Sequence, residues 1–331
     1  GNMEKTELYR RTGNERQLFS VRSVRLMEGR AGGCRVVEVT TAGGLQADIL
    51  PDTGLDIGAL RYKGTNISFM SKNGYDSCAA FSPHETEFLN TFPGGMLYTC
   101  GLRSVGPANR DGGEWFPLHG RFHGIPATEV CAKVEDDVAV VSGTVTQSAL
   151  FGHVLRIKRT IRIPVYESRI EIEDTLENLT PSPEEIMLLY HFNFGYPFLS
   201  EHARLILPER RTTRPRDENA AGGIGKECEF TEPVDGMPEQ VFFHEMEESR
   251  ARVQNPSLGI SAQLTWSGES LPVFAQWKSM ASGDYVLGLE PSNCSVMGRH
   301  AERENGTLKK IGGFESVHTR LSLELSTDSV R

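Results

Sequence analysis

An all-β fold, a large antiparallel sandwich with few short helices, is what this 331-residue sequence predicts. Three observations predict it. Apolar and polar residues alternate with period two over long stretches, the pattern of half-buried antiparallel strands. Glycine pairs separate those stretches. Segments with helical periodicity are scarce.

The alternation is clearest in 154–163, where Leu155, Ile157, Ile161 and Ile163 fall on one face and Arg156, Lys158, Thr160 and Arg162 on the other. In 169–176, Ile170, Ile172 and Leu176 oppose Arg169, Glu171, Glu173 and Thr175, and 320–325 repeats the pattern. Further strands are predicted at 34–41, 46–50, 137–146, 186–192, 203–207, 259–266, 272–277 and 285–289. The pairs Gly43-Gly44, Gly94-Gly95, Gly112-Gly113, Gly222-Gly223 and Gly312-Gly313 supply turn chemistry between apolar runs. A short helix is predicted near 83–90, where Ser82-Pro83 precedes an acidic pair. No repeat and no linker-like shift divides the chain. Residues 1–331 therefore read as one domain, with Gly1 and Asn2 ahead of Met3 as a remnant of cloning.

Composition narrows the function. A formal net charge of −9 is the wrong sign for a protein that neutralises a phosphate backbone, which argues against a nucleic-acid partner. No run of about 18 apolar residues is present, so no membrane-spanning helix is expected. Cys34, Cys78, Cys100, Cys131, Cys228 and Cys294 stand singly, without the paired spacing of a structural zinc site. They read as free thiols of a cytoplasmic protein, and the first residues lack the apolar stretch of a signal peptide. Exposed sheet edges make a homodimer an expectation.

Three segments concentrate chemistry. WFPLHGRFHGIP (115–126) holds His119, Arg121 and His123, which at strand spacing share a face suited to an oxygen-rich or anionic ligand. A surface loop with incidental histidines is the plainer reading, and a metal at His119 and His123 ranks third because no carboxylate accompanies them. LYHFNFGYPF (189–198) places His191 and Asn193 on one side of a strand among aromatic rings. His191 reads equally as a general acid or base near neutral pH or as a core histidine satisfied by backbone. DYVLGLEPSNC (284–294) ends an apolar strand in Glu290, with Pro291 expected to stop the ladder. A carboxylate there is a general base if buried and paired, and otherwise an exposed strand-end residue. Arg103 in TCGLR can clamp a ligand oxygen. The run RRTTRPR (210–216) reads as a solvated loop or as a phosphate or sulfonate site. Asp52, Gly54 and Asp56 read as a turn between strands.

Together, DTGLDIGALRYKG, TCGLRSVGPAN, PLHGRFHGIPA, YHFNFGYPF and GLEPSN, spread over residues 51 to 295, resemble the aldose 1-epimerase (galactose mutarotase) superfamily, and most closely its DUF4432 branch. The resemblance implies a single β-supersandwich with a carbohydrate site in an open cleft on its concave face. It implies Glu290 as general base and His191 as general acid, acting from opposite sides of a sugar to interconvert its anomers. It implies His119, Arg103, Arg121, His123 and Asn193 as substrate-binding residues, with Phe192 or Trp277 stacking on the sugar ring. That chemistry needs no metal and no cofactor. Two departures accompany it. Mutarotases proper place Asn four residues after the catalytic His, whereas Asn193 follows His191 by two, and the sequence does not reveal the aspartate that grips sugar hydroxyls. The alternatives are a non-catalytic carbohydrate-binding protein and another sugar isomerase, epimerase or lyase on the same fold.

Overall fold

The computed structural model describes residues 4–327, so Gly1 and Asn2, read as a cloning remnant, lie outside the described residues. Two antiparallel sheets carry the chain. The larger runs in spatial order through Ser20–Arg25, Arg35–Thr40, Leu45–Leu50, Asp56–Tyr62, Leu97–Leu102, Glu184–Phe194, Asp284–Ser292, Val273–Ala281, Gln240–Met246 and Arg210–Pro215. The smaller runs through Arg204–Ile206, Arg250–Asn255, Ile260–Trp266, Ser316–Thr327, Arg169–Asn178, Val154–Pro164, Val138–Ser148 and Thr128–Glu135. Among the described residues, no helix is long and apolar enough to cross a membrane.

The predicted alternation does the work expected of it. In Val154–Pro164 the residues Leu155, Ile157, Ile161 and Ile163 are fully buried between the sheets, while Lys158 is exposed. The predicted turns at 43–44, 112–113 and 312–313 also form. Two local expectations are corrected. The helix near 83–90 is shorter and later, Phe88–Thr91. The ladder does not stop at Pro291: the strand continues to Ser292, with Phe274 opposite Pro291.

The large sheet is apolar on both faces at its centre. Along Glu184–Phe194, the even positions Leu188, Tyr190, Phe192 and Phe194 join the core between the sheets. The odd positions Met187 and Leu189 join a second apolar cluster on the opposite face. That cluster is covered by Phe88 and Phe92 from the short helix and by Val296. A strand buried on both sides at its middle has room for a side chain that belongs to neither core. His191 continues the odd series, and Glu290 continues the matching series of Val286 in the neighbouring strand.

Candidate active site

Register brings His191 and Glu290 together. Leu189 pairs with Ser292 and Phe192 with Leu289, so position 191 falls opposite position 290 on adjacent strands. Their side chains project to the same face, and His191 Nε2 lies 2.5 Å from Glu290 Oε1. Both residues are about 95% buried. Burial alone would raise the Glu290 carboxyl, but the facing His191 imidazole and its hydrogen bond, helped by Arg216, hold it below the usual carboxylate range. The remaining polar atoms of the pair, His191 Nδ1 and Glu290 Oε2, are buried without a partner. Buried polar atoms are normally satisfied, so these two are exceptions within the sheet. The two groups that the resemblance implies as acid and base are in direct contact.

The pair lies in the wall of a cavity of about 500 Å³, which His119 and Trp277 also line. The His191 ring is boxed by Trp277 at 5.4 Å, Phe92 at 6.1 Å and His119 at 6.1 Å between centroids. Gly288 makes this box possible. It pairs with Asn193 on one side and Trp277 on the other, and a Cβ there would approach His191 Cε1 to 2.8 Å and the Trp277 Cβ to 3.0 Å.

His119 reaches the cavity from a turn. It adopts φ 58°, a left-handed conformation in which histidine is enriched among non-glycine residues. The peptide N–H of Gly106 donates to its Nδ1 at 3.2 Å. Burial first, then the neighbouring His191 charge, lowers the His119 pKa to about 4. The ring is therefore neutral at pH 7, with Nδ1 accepting and Nε2 carrying the proton. His119 thus has an Nε2–H to donate.

The other residues predicted to bind a ligand separate. His119, Arg121 and His123 do not share a strand face, because the segment is a turn followed by the 3₁₀ helix Phe122–Gly124. His123 turns inward, bonds Asp56 Oδ2 through Nδ1 at 2.7 Å and stacks on Tyr98 at 3.9 Å. Arg121 is exposed and faces a separate crevice with Arg103. Arg103 is held by Glu184 at 3.0 Å and Glu114 at 2.7 Å, and lies 5.2 Å from the Phe116 ring centre. Neither arginine lines the cavity. Asn193 donates to the carbonyls of Gly95 at 3.1 Å and His191 at 3.2 Å, bracing the backbone that presents His191. Phe192 is fully buried between the sheets and cannot stack on a ligand, whereas Trp277 lines the cavity.

Arg216, Asp217 and Glu239 also line the cavity. Arg216 donates to Asp217 at 2.8 Å and to Glu239 at 3.0 Å, and Trp277 Nε1 donates to Glu239 at 2.7 Å. Asp217 also caps the short helix Glu218–Ala221 by accepting from the Ala220 amide at 3.1 Å. The basic run 210–216 signalled Arg216. Nothing local signalled Asp217 or Glu239, which reach the site through tertiary structure. Within the run, Arg210 pairs with Glu227 at 2.7 Å.

Two buried histidines give a pH signature. His119 and His244 both fall from 6.5 to about 4, chiefly through burial. The unfolded chain then binds more protons than the folded one between those values. Stability is complete above pH 6.5 and is lost as pH falls toward 4. Glu290, whose carboxyl is depressed, adds a loss below its ordinary value of 4.5. A melting temperature that drops steadily from pH 6.5 to 4 is expected, with a shallower slope in His244→Gln. An unchanged slope in that variant would contradict the assignment.

The sequence matches the family described as "Domain of unknown function (DUF4432)" over residues 31–325. No curated protein matches it. Among solved structures, a candidate aldose 1-epimerase from Klebsiella pneumoniae superposes with TM-score 0.87 at 24% identity, covering 94% of this chain and 84% of that one. A galactose mutarotase-like protein from Clostridium acetobutylicum gives TM-score 0.66 at 15% identity, covering 94% and 99%. The galactose 1-epimerase of Lactobacillus acidophilus gives TM-score 0.61 at 13% identity, covering 94% and 100%. Identities this low speak for the fold, the mutarotase-like β-sandwich that the motifs implied. Because the family match spans nearly the whole chain, the protein belongs to the DUF4432 family.

Proposed function

We propose that the protein is an aldose 1-epimerase-like isomerase that interconverts the anomers of a reducing sugar. The observation that carries this reading is the buried His191–Glu290 pair, 2.5 Å apart, with one unpartnered atom on each residue. The C1 hydroxyl and the ring oxygen of a cyclic sugar are bonded to the same carbon. An acid and a base within hydrogen-bond reach of that one centre can serve both, and these two lie together in the cavity wall. The carboxylate of Glu290 takes the C1 hydroxyl proton while the His191 imidazolium gives a proton to the ring oxygen. The C1–ring-oxygen bond breaks, the C1 oxygen becomes an aldehyde, and both side chains are left neutral. Rotation about C1–C2 presents the other carbonyl face, and the same two transfers run backward. His119, neutral with its Nε2–H free, donates to a sugar oxygen without competing for the catalytic proton. Trp277 offers a ring face.

Magnetisation exchange between α and β anomers, read by NMR on neutral, acidic and phosphorylated sugars, tests this. Acceleration of one sugar is the expected result. Line broadening with no acceleration on any sugar would instead make the protein a carbohydrate-binding one. Deuterium entering a sugar carbon from solvent would point to an isomerase or lyase. Gly288→Ala is a second check. The added methyl must displace His191 or Trp277, and a misplacement near 1 Å costs on the order of 10²-fold. The exchange rate is expected to fall at least tenfold with the melting temperature little changed; wild-type exchange would mean that the box around His191 does not position it.

A further inference from the structure

Every buried hydroxyl of a sugar needs a partner, and a hexose carries one on nearly every carbon. The cavity supplies few. Among the described residues, no Ser, Thr, Asn, Gln or Tyr side chain lines it. Its polar side chains are His119, His191, Glu290, Arg216, Asp217 and Glu239, with the Trp277 N–H already donated to Glu239. Each oxygen of Asp217 and of Glu239 already accepts one bond from the protein, so it has only its remaining lone pair to offer a ligand. The rest of the wall is apolar: Phe88, Leu89, Phe92, Leu118, Val241 and Met297. Charge adds a second restriction. The carboxylates of Glu290, Asp217 and Glu239 outnumber the guanidinium of Arg216, so a phosphate, sulfonate or carboxylate entering this cavity meets a net negative wall.

We infer that the substrate is a neutral reducing sugar with a deoxygenated, apolar end. The anomeric centre sits at His191 and Glu290, and a methyl or methylene replaces a hydroxymethyl against the apolar wall. The inference rests on the anomer-exchange reading for its orientation. The shortage of polar partners would hold for a binding protein too.

The test uses matched pairs on the whole protein: D-fucose against D-galactose and 6-deoxy-D-glucose against D-glucose, with the 6-phosphates and uronates of both hexoses. Anomer exchange is read by NMR and binding by saturation transfer. The deoxy member is expected to exchange or bind about 10- to 100-fold better in at least one pair, with no anion bound. Val241→Thr, which places a hydroxyl on the apolar wall, is expected to shrink that preference several-fold. A deoxy preference in binding without exchange of any sugar would end the catalytic reading and leave this inference standing. Parent hexoses or anions handled as well as the deoxy sugars, with exchange lost in Glu290→Gln, would overturn the inference and leave the catalytic reading standing. Failure of both deoxy sugars to bind or exchange would also overturn it.

Discussion

Glu290→Gln is expected to lower anomer exchange by about 10²–10⁴-fold, and His191→Ala by a similar factor, while each variant keeps the native fold. The amide keeps the shape of Glu290 and can still accept from His191 Nε2, so packing around the pair survives. It cannot take the C1 hydroxyl proton. The double variant should be scarcely slower than either single one, because residues that act as a unit are strongly non-additive. Rates follow from NMR exchange, and folding from the melting temperature and the near-ultraviolet signal of Trp277, 5.4 Å from the His191 ring. Full exchange in either variant, or losses that multiply in the double variant, would remove the pair from the chemistry.

What could be read of this site in advance depended on distance along the chain. His191 and Glu290 announced themselves as polar residues within apolar strands, and the structure pairs them across one ladder. The sequence did not carry which neighbours would join them. His119 and His123 are four residues apart, yet the left-handed turn at His119 sends one to the cavity and the other to Asp56. Arg103 looked like a ligand clamp because its ion-pair partner Glu184 is 81 residues away. Asp217 and Glu239 were invisible for the same reason: their relevance comes from the strand order that sets 210–215 beside 240–246 and 240–246 beside 273–281.

The fold was more legible, because period two is a local property. Where the pattern faltered, the structure has a reason. Asp56–Tyr62 and Leu97–Leu102 are nearly all buried on both faces and show no alternation to read. The alternating strands also held one signal that went unread. Between Ile157 and Ile161 the inward position is Arg159, and between Ile172 and Leu176 it is Asp174. A charge in the middle of an apolar face, on two consecutive strands, marks a buried ion pair. The register sets the two residues opposite each other.

That pair carries the largest expected effect on stability. The Arg159 side chain is fully buried between the sheets. It donates to Asp174 from Nε at 2.9 Å and Nη2 at 2.7 Å, to Asp56 from Nη1 at 2.8 Å, and to Thr99 Oγ1 at 3.0 Å. Tyr190 donates to Asp174 at 2.6 Å, and His123 holds the second oxygen of Asp56 at 2.7 Å. Burial alone would lower the Arg159 pKa; the two carboxylates reverse this and raise it. Arg159→Met would leave Asp56 and Asp174 buried without their cation, a loss of about 3–5 kcal/mol on the scale of broken buried pairs. Replacing all three charges together with apolar residues of similar volume is expected to recover most of that loss, since buried ion pairs are often no more stable than good packing. Urea midpoints of the single and triple variants give the measurement. A single variant within about 1 kcal/mol of wild type would mean that water or rearrangement satisfies the carboxylates. The network also reaches the active site. Asp56 and its partner Thr99 hold the strand on which Tyr98 stacks against His123 and pairs with His191. A triple variant that regains stability but loses anomer exchange would show that these charges fix the floor under His191, a role that packing alone does not fill.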